Sequence, residues 1–180
     1  AALAVLAGFV ATLAPTVTFW DAGELIASAK ILGIPHPPGT PLWVLVGHVW
    51  GLVIPFGDYA WRLNLLSAVS GAAAAGCWFL VAHALVRRLD RQAGRGLAIG
   101  AGFAAALLAS FGFTNWQNAV EAEVYSIAMV TIAAAAWCAV RWCDLRDERH
   151  GHRLLLVLLY LGAISIGNHL PALLIGPALI

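Results

Sequence analysis

The stretch FWDAGELIASAKILGIPHPPGTP, Phe19–Pro41, gathers Asp21, Glu24, Lys30 and His36 between two apolar runs and ends in four prolines. Residues 22–33 read as a short amphipathic helix. Asp21 suits its N-cap, Glu24 falls three residues later as a capping-box acid, and Gly33 sits where a C′ glycine belongs. Leu25, Ile26, Ile31 and Leu32 give the helix an apolar side. Residues 34–38, IPHPP, cannot prolong it, because proline lacks an N–H and restrains the residue before it. Residues 41–54 carry Trp43 and Trp50 and read as a second helix, too short for a span of about 20 residues.

The rest of the chain says what surrounds this loop. It is 62% hydrophobic and 11% charged, with mean hydropathy +0.86. A soluble domain is about half apolar and about a quarter charged, so the fold class is an all-α polytopic membrane protein. Eight tryptophans suit a membrane interface. Net charge +1, with no basic run among aromatics, leaves no reason to expect nucleic acid. Cys77, Cys138 and Cys143 lie in or beside apolar helices without CxxC spacing and read as small hydrophobes. The chain starts inside one apolar run and stops inside another, which reads as a piece of a longer membrane protein.

Expected spans are 1–17 (cut short), 63–86, 97–113, 123–142 and 154–168, with another beginning at 170–180. The arginine clusters, Arg87 to Arg95 and Arg141 to Arg153, both belong on the cytoplasmic side, with exactly two spans between them. That puts Phe19–Arg62 on the outer side, with 22–33 and 41–54 as interfacial helices. The loop 114–122 and the SIGNHLP stretch face the same way. Asp21, Glu24, His36, Glu121, Glu123, Asn168 and His169 then collect on one face.

Each candidate also has a plainer reading. Asp21 and Glu24 serve as helix caps, yet acids at a membrane boundary are costly unless partnered or used. Glu121 and Glu123 are two residues apart, so only one of them faces a given site; Glu123 and Tyr125 open an apolar helix, where a carboxylate favours the dipole. His36 and His169 lack the i,i+4 partner of a helical zinc site and are read as donors to a phosphate. His48 and His83 read as packing residues. Arg62 either snorkels or clamps an anion, with Asn64 and Ser67 following on the same helix. No GxGxxG, Walker, GxSxG or HExxH motif occurs.

The D-x-G-E pattern, followed by G-I-P-H-P-P-G-x-P-L, resembles the first-loop signature of a large membrane family. WRLNLLSAVSGA, NAVEAEVYSI and GNHL resemble its later blocks, in order. That family is similar to the GT-C glycosyltransferases, in particular the protein O-mannosyltransferases. The resemblance implies a GT-C-type transmembrane module with two juxtamembrane helices in its first outer loop. It implies inverting transfer of a sugar, mannose above all, from a polyprenyl- or dolichyl-phosphate donor to an extracytoplasmic acceptor, a protein hydroxyl or a glycan. Asp21 corresponds to the loop acid that acts as base, and Glu24 orients it or the acceptor. His36, Arg62, Asn64, Glu123, Tyr125, Asn168 and His169 are the candidates for binding donor and phosphate. No metal ligand set is assigned and no cofactor is required, although the chemistry leaves a divalent metal open. Alanine-rich spans and short loops suggest a bacterial inner membrane. The competing reading is a transporter with an outer-side acidic cation site, but that predicts polar residues at mid-membrane depth rather than at one edge. A non-catalytic scaffold leaves the Asp21–Glu24–His36 grouping unexplained.

Overall fold

The computed structural model describes residues 1–149 and 151–169, and among these it contains only helices and connecting turns. In chain order they are α1 (Ala2–Ala11), α2 (Ala22–Ile31), α3 (Pro41–Val53), α4 (Tyr59–Leu89), α5 (Arg95–Phe111), α6 (Phe113–Val120), α7 (Val124–Leu145) and α8 (Gly151–Ile166). Two of them, α4 and α7, are long and apolar enough to cross a membrane; α5 and α6 make a third crossing if the pair, bent by 69°, is one broken span. The protein is an all-helical integral membrane protein. The further span expected at 170–180 lies outside the described residues.

Helix α4 is the axis. Its 31 residues rise about 46 Å, and α1, α5 and α7 pack along it. Small residues make the close approach possible: Ala68, Ala72 and Ala75 of α4 are buried with Val5, Phe9, Ala106 and Ala119. A methyl group at Gly102 would come within 2.7 Å of the Phe79 ring, so α5 can lie this close to α4 only with glycine there. A second core joins α2 and α3 to the start of α4, through Leu25, Ala29, Trp43, Leu63 and Ile127.

The two ends of the bundle differ. Arg88 of α4 bonds the Asp144 carboxylate of α7 at 2.6 Å, and Arg141 lies 3.5 Å from the same residue. Both arginine clusters therefore meet at one end. At the other end Ser67 of α4 holds Glu123, which immediately precedes α7.

Several expectations change. The first apolar run is helical only to Ala11: Thr12 turns its hydroxyl back to the Gly8 carbonyl, Ala14 N–H donates to Val120, and Pro15 cannot continue a helix. Residues 114–122, expected as a loop, mostly form α6, which starts after Gly112 and packs Ala119 into the α1–α4 core. Asp21 stands at the N-cap of α2 but makes no side-chain cap bond, and Glu24 makes no capping box because it is used elsewhere. The left-handed residue at the end of α2 is Leu32 (φ 54°), and Gly33 N–H closes the turn onto Ser28. The true side-chain cap in this region is Asp58, which accepts from Trp61 N–H at 2.7 Å and starts α4 at Tyr59.

Candidate active site

Glu24 organises the proline loop. The chain leaves α2 at Leu32, and the prolines carry it back so that His36 overlies the first turn of the same helix. One Glu24 oxygen accepts from His36 N–H at 2.8 Å, and the other lies 2.7 Å from the ring Nδ1. An ionised carboxylate only accepts, so Nδ1 carries the proton in this contact and Nε2 is left free. The hydrogen bond from His36 holds the Glu24 carboxyl below its ordinary range, and the same bond raises the His36 imidazole. His36 Nε2 stands 3.8 Å from Asp21 Oδ2. All three side chains are about half exposed.

The facing wall comes from the start of α7 and the end of α8. Glu123 precedes α7 and lies outside the apolar helix. Its N–H donates to Ser67 Oγ at 3.3 Å, and its carbonyl accepts from Trp43 Nε1 at 3.1 Å. Trp43 is fully buried, so α3 fixes the acid from behind. The Glu123 residue is only 8% exposed. Burial first, then the neighbouring carboxylates of Glu121 and Asp21, push its pKa up to about 7. Tyr125 meets the His169 ring edge to face, centroids 5.0 Å apart, and burial lowers the His169 imidazole. Asn168 is buried behind them and donates to the Val124 carbonyl at 3.0 Å.

Asp21, His36, Thr40, Glu123, Tyr125 and His169 line one cleft of about 100 Å³. Thr40 is the residue that sequence reasoning missed: its hydroxyl is buried with no partner among the described residues, and nothing in the PGTP stretch marks it. Tyr125 also borders a second, narrow and mostly apolar pocket between α4, α5, α6 and α7, lined by Phe9, Ala74, Trp78, Asn118 and Met129.

Three expected binding residues do not reach the cleft wall: Asn168, buried behind it, Arg62 and Asn64. Arg62 spends its guanidinium on backbone: Nε on the Phe56 and Gly57 carbonyls, Nη1 on Gly51 and Nη2 on Gly57. It clips the end of α3 to the start of α4 and has no fork left for a phosphate. Asn64 is buried and donates to the Ala14 and Thr16 carbonyls, tying down the chain that leads to α2. Arg62→Ala is accordingly expected to lower stability by about 1–2 kcal/mol through orphaned carbonyls. Melting curves check this; unchanged melting would free Arg62 for the anion clamp that the sequence suggested.

The family described as "Protein O-mannosyl-transferase TMEM260 N-terminal domain" matches residues 21–180. The chain belongs to this family. It is 32% identical over 163 residues to the protein O-mannosyl-transferase TMEM260 of Mus musculus, covering 91% of this chain and 21% of that protein. It is 27% identical over 141 residues to the protein O-mannosyl-transferase tmem260 of Dictyostelium discoideum, covering 76% of this chain and 16% of that one. The chain thus spans about a fifth of the length of these curated relatives. No solved structure matches it. The family match begins at Asp21 and takes in every residue of the cleft.

Proposed function

We propose that this chain is the catalytic transmembrane module of a GT-C-type glycosyltransferase that moves a sugar, mannose above all, from a polyprenyl- or dolichyl-phosphate donor to a hydroxyl of an extracytoplasmic protein. One observation carries the reading: an acid, Asp21, stands in a polar cleft that shares Tyr125 with an apolar cavity. A lipid-linked sugar needs that pairing, a polar place for the reacting end beside an apolar place for its chain. The names of the relatives support transfer of mannose to protein.

The acceptor oxygen attacks the anomeric carbon while the bond from that carbon to the phosphate oxygen breaks. The electron pair leaves with the lipid phosphate, and configuration inverts. Asp21 takes the proton from the acceptor hydroxyl. Glu24 does not touch the reacting atoms on this reading; it sets the His36 ring in place beside Asp21. Tyr125 and His169 offer hydrogen bonds on the opposite wall.

The cleft end of the bundle faces outward and the arginine end faces the cytoplasm. The exposed apolar side chains of α3, Leu45, Val49, Leu52 and Val53, suit a helix lying along the membrane surface rather than crossing it. We place the protein in a bacterial inner membrane on composition; the two relatives are eukaryotic and do not bear on that choice of membrane. In a background with the three native cysteines replaced, Gly94→Cys is expected to label only from the cytoplasmic side and Phe56→Cys only from outside. Outside labelling at Gly94 would overturn the orientation.

The function is tested on membranes holding the full-length protein, with a radiolabelled polyprenyl-phosphate mannose and an acceptor peptide rich in serine and threonine. Label is expected in the peptide, released by mild base. Label that stays in lipid at every acceptor concentration would defeat the proposal.

A further inference from the structure

The charge of the cleft does not suit a phosphate leaving group by itself. Asp21 and Glu123 line the cleft with the imidazoles of His36 and His169, Glu24 stands behind His36, and no lysine or arginine lines the cleft among the described residues. Lys30 lies over the Tyr59 ring, Arg62 is bound to carbonyls, and residues 170–180 contain no basic residue. A departing phosphate gains most from positive charge held close to it. We infer that His36 Nε2 and Asp21 Oδ2 hold a divalent transition-metal cation in this cleft, with Glu24 as the carboxylate behind the imidazole.

The geometry is that of a histidine ready for a metal. A ligating imidazole donates its other N–H to a carboxylate, which fixes ring and tautomer, and Glu24 accepts from Nδ1 at 2.7 Å. Two ligand atoms on one ion lie at most about 4.2 Å apart; Nε2 and Oδ2 are 3.8 Å apart. Donor atoms of Asp21, Glu24 and His36 all fall within 4.8 Å of one another. Half-exposed side chains leave room for water, and for a phosphate oxygen, in the remaining positions.

One further feature points the same way. The Thr40 hydroxyl is buried and unpartnered on the wall of this cleft. An unpaired buried oxygen beside a histidine–carboxylate pair is explained by an ion or its waters. One imidazole with carboxylates favours Mn²⁺ or Zn²⁺ over Ca²⁺.

The role of the cation in neutralising the leaving phosphate rests on the transferase reading; the binding itself does not. The test is Mn²⁺ alone, titrated into the purified full-length protein in detergent after chelation, read by electron paramagnetic resonance. We expect one tightly bound Mn²⁺ per chain, with spin-echo modulation from a directly bound nitrogen. His36→Gln is expected to abolish that modulation, and Glu24→Ala to weaken affinity by about 10–100-fold. Melting curves establish that each variant is folded, and the nitrogen signature in the unaltered protein needs no variant at all. Absence of bound Mn²⁺, or binding whose nitrogen signal survives in folded His36→Gln, overturns the site. Transfer that persists in chelator without bound Mn²⁺ leaves the transferase standing and removes the cation. Binding at His36 without any transfer keeps the cation site and removes the transferase.

Discussion

Asp21→Asn is expected to reduce sugar transfer by about 10²–10⁴-fold, the range for loss of a general base, while melting stays near that of the unaltered protein. The structural side of this expectation is strong. Asp21 makes no cap hydrogen bond, and its side chain is 56% exposed, so an isosteric amide removes no buried contact. Changes at such positions are usually within about 0.5 kcal/mol. The chemical side is the loss of a proton acceptor at the cleft. Glu24→Gln is expected to cost less, because the amide oxygen still accepts from His36 N–H and Asp21 is untouched, although the amide NH2 replaces the oxygen that accepted from Nδ1. Rates are measured on full-length protein at saturating donor and saturating Mn²⁺, so that weaker metal binding does not masquerade as a missing base. If Asp21→Asn keeps most of its activity, the base has to be sought at Glu123, which faces the same cleft.

The positions of the acids were legible because charge is rare in this chain. Asp21, Glu24, His36 and Glu123 stand out against a background with only 11% charged residues, and a proline-rich turn after a short amphipathic segment is readable by eye. What each does locally was not. Helix capping explains an Asp and a Glu three residues apart so well that it hides the alternative, a carboxylate reaching twelve residues on to His36. Tertiary contact outbid local propensity there. Arg62 shows the reverse error. An outward arginine on an apolar helix reads as an anion clamp, but the carbonyls it satisfies belong to a turn whose path the sequence does not reveal. Thr40 carries no signal of any kind. Helix α6 was hidden by its polar composition, TNWQNAV, because so short a helix buries only Ala119 fully, with Trp116 and Val120 partly buried beside it.

Glu123 shows what the cleft costs to build, and Glu123→Gln should measure it. The folded protein holds this carboxyl near pKa 7, against an ordinary 4.5, because burial, Glu121 and Asp21 all oppose its charge. Between those two values the folded state keeps a proton that the unfolded state releases. Stability therefore falls as pH rises from about 4.5 to about 7 and stays low above, with a slope of at most about 1.4 kcal/mol per pH unit. The full shift corresponds to about 3 kcal/mol; water entering the cleft screens part of it, which leaves about 2 kcal/mol. Glu123→Gln carries no such proton. It should match the unaltered protein below pH 4.5, lose the pH slope, and exceed it by about 2 kcal/mol above pH 7. Melting curves from pH 4 to 8, taken in chelator so that no cation offsets the charge, decide the matter. Parallel curves for the two proteins would mean that Glu123 is solvated and ionised like any surface acid. Curves that coincide at low pH and separate above it, with the more stable variant losing transfer, would mean that the acid is kept for what it does in the cleft.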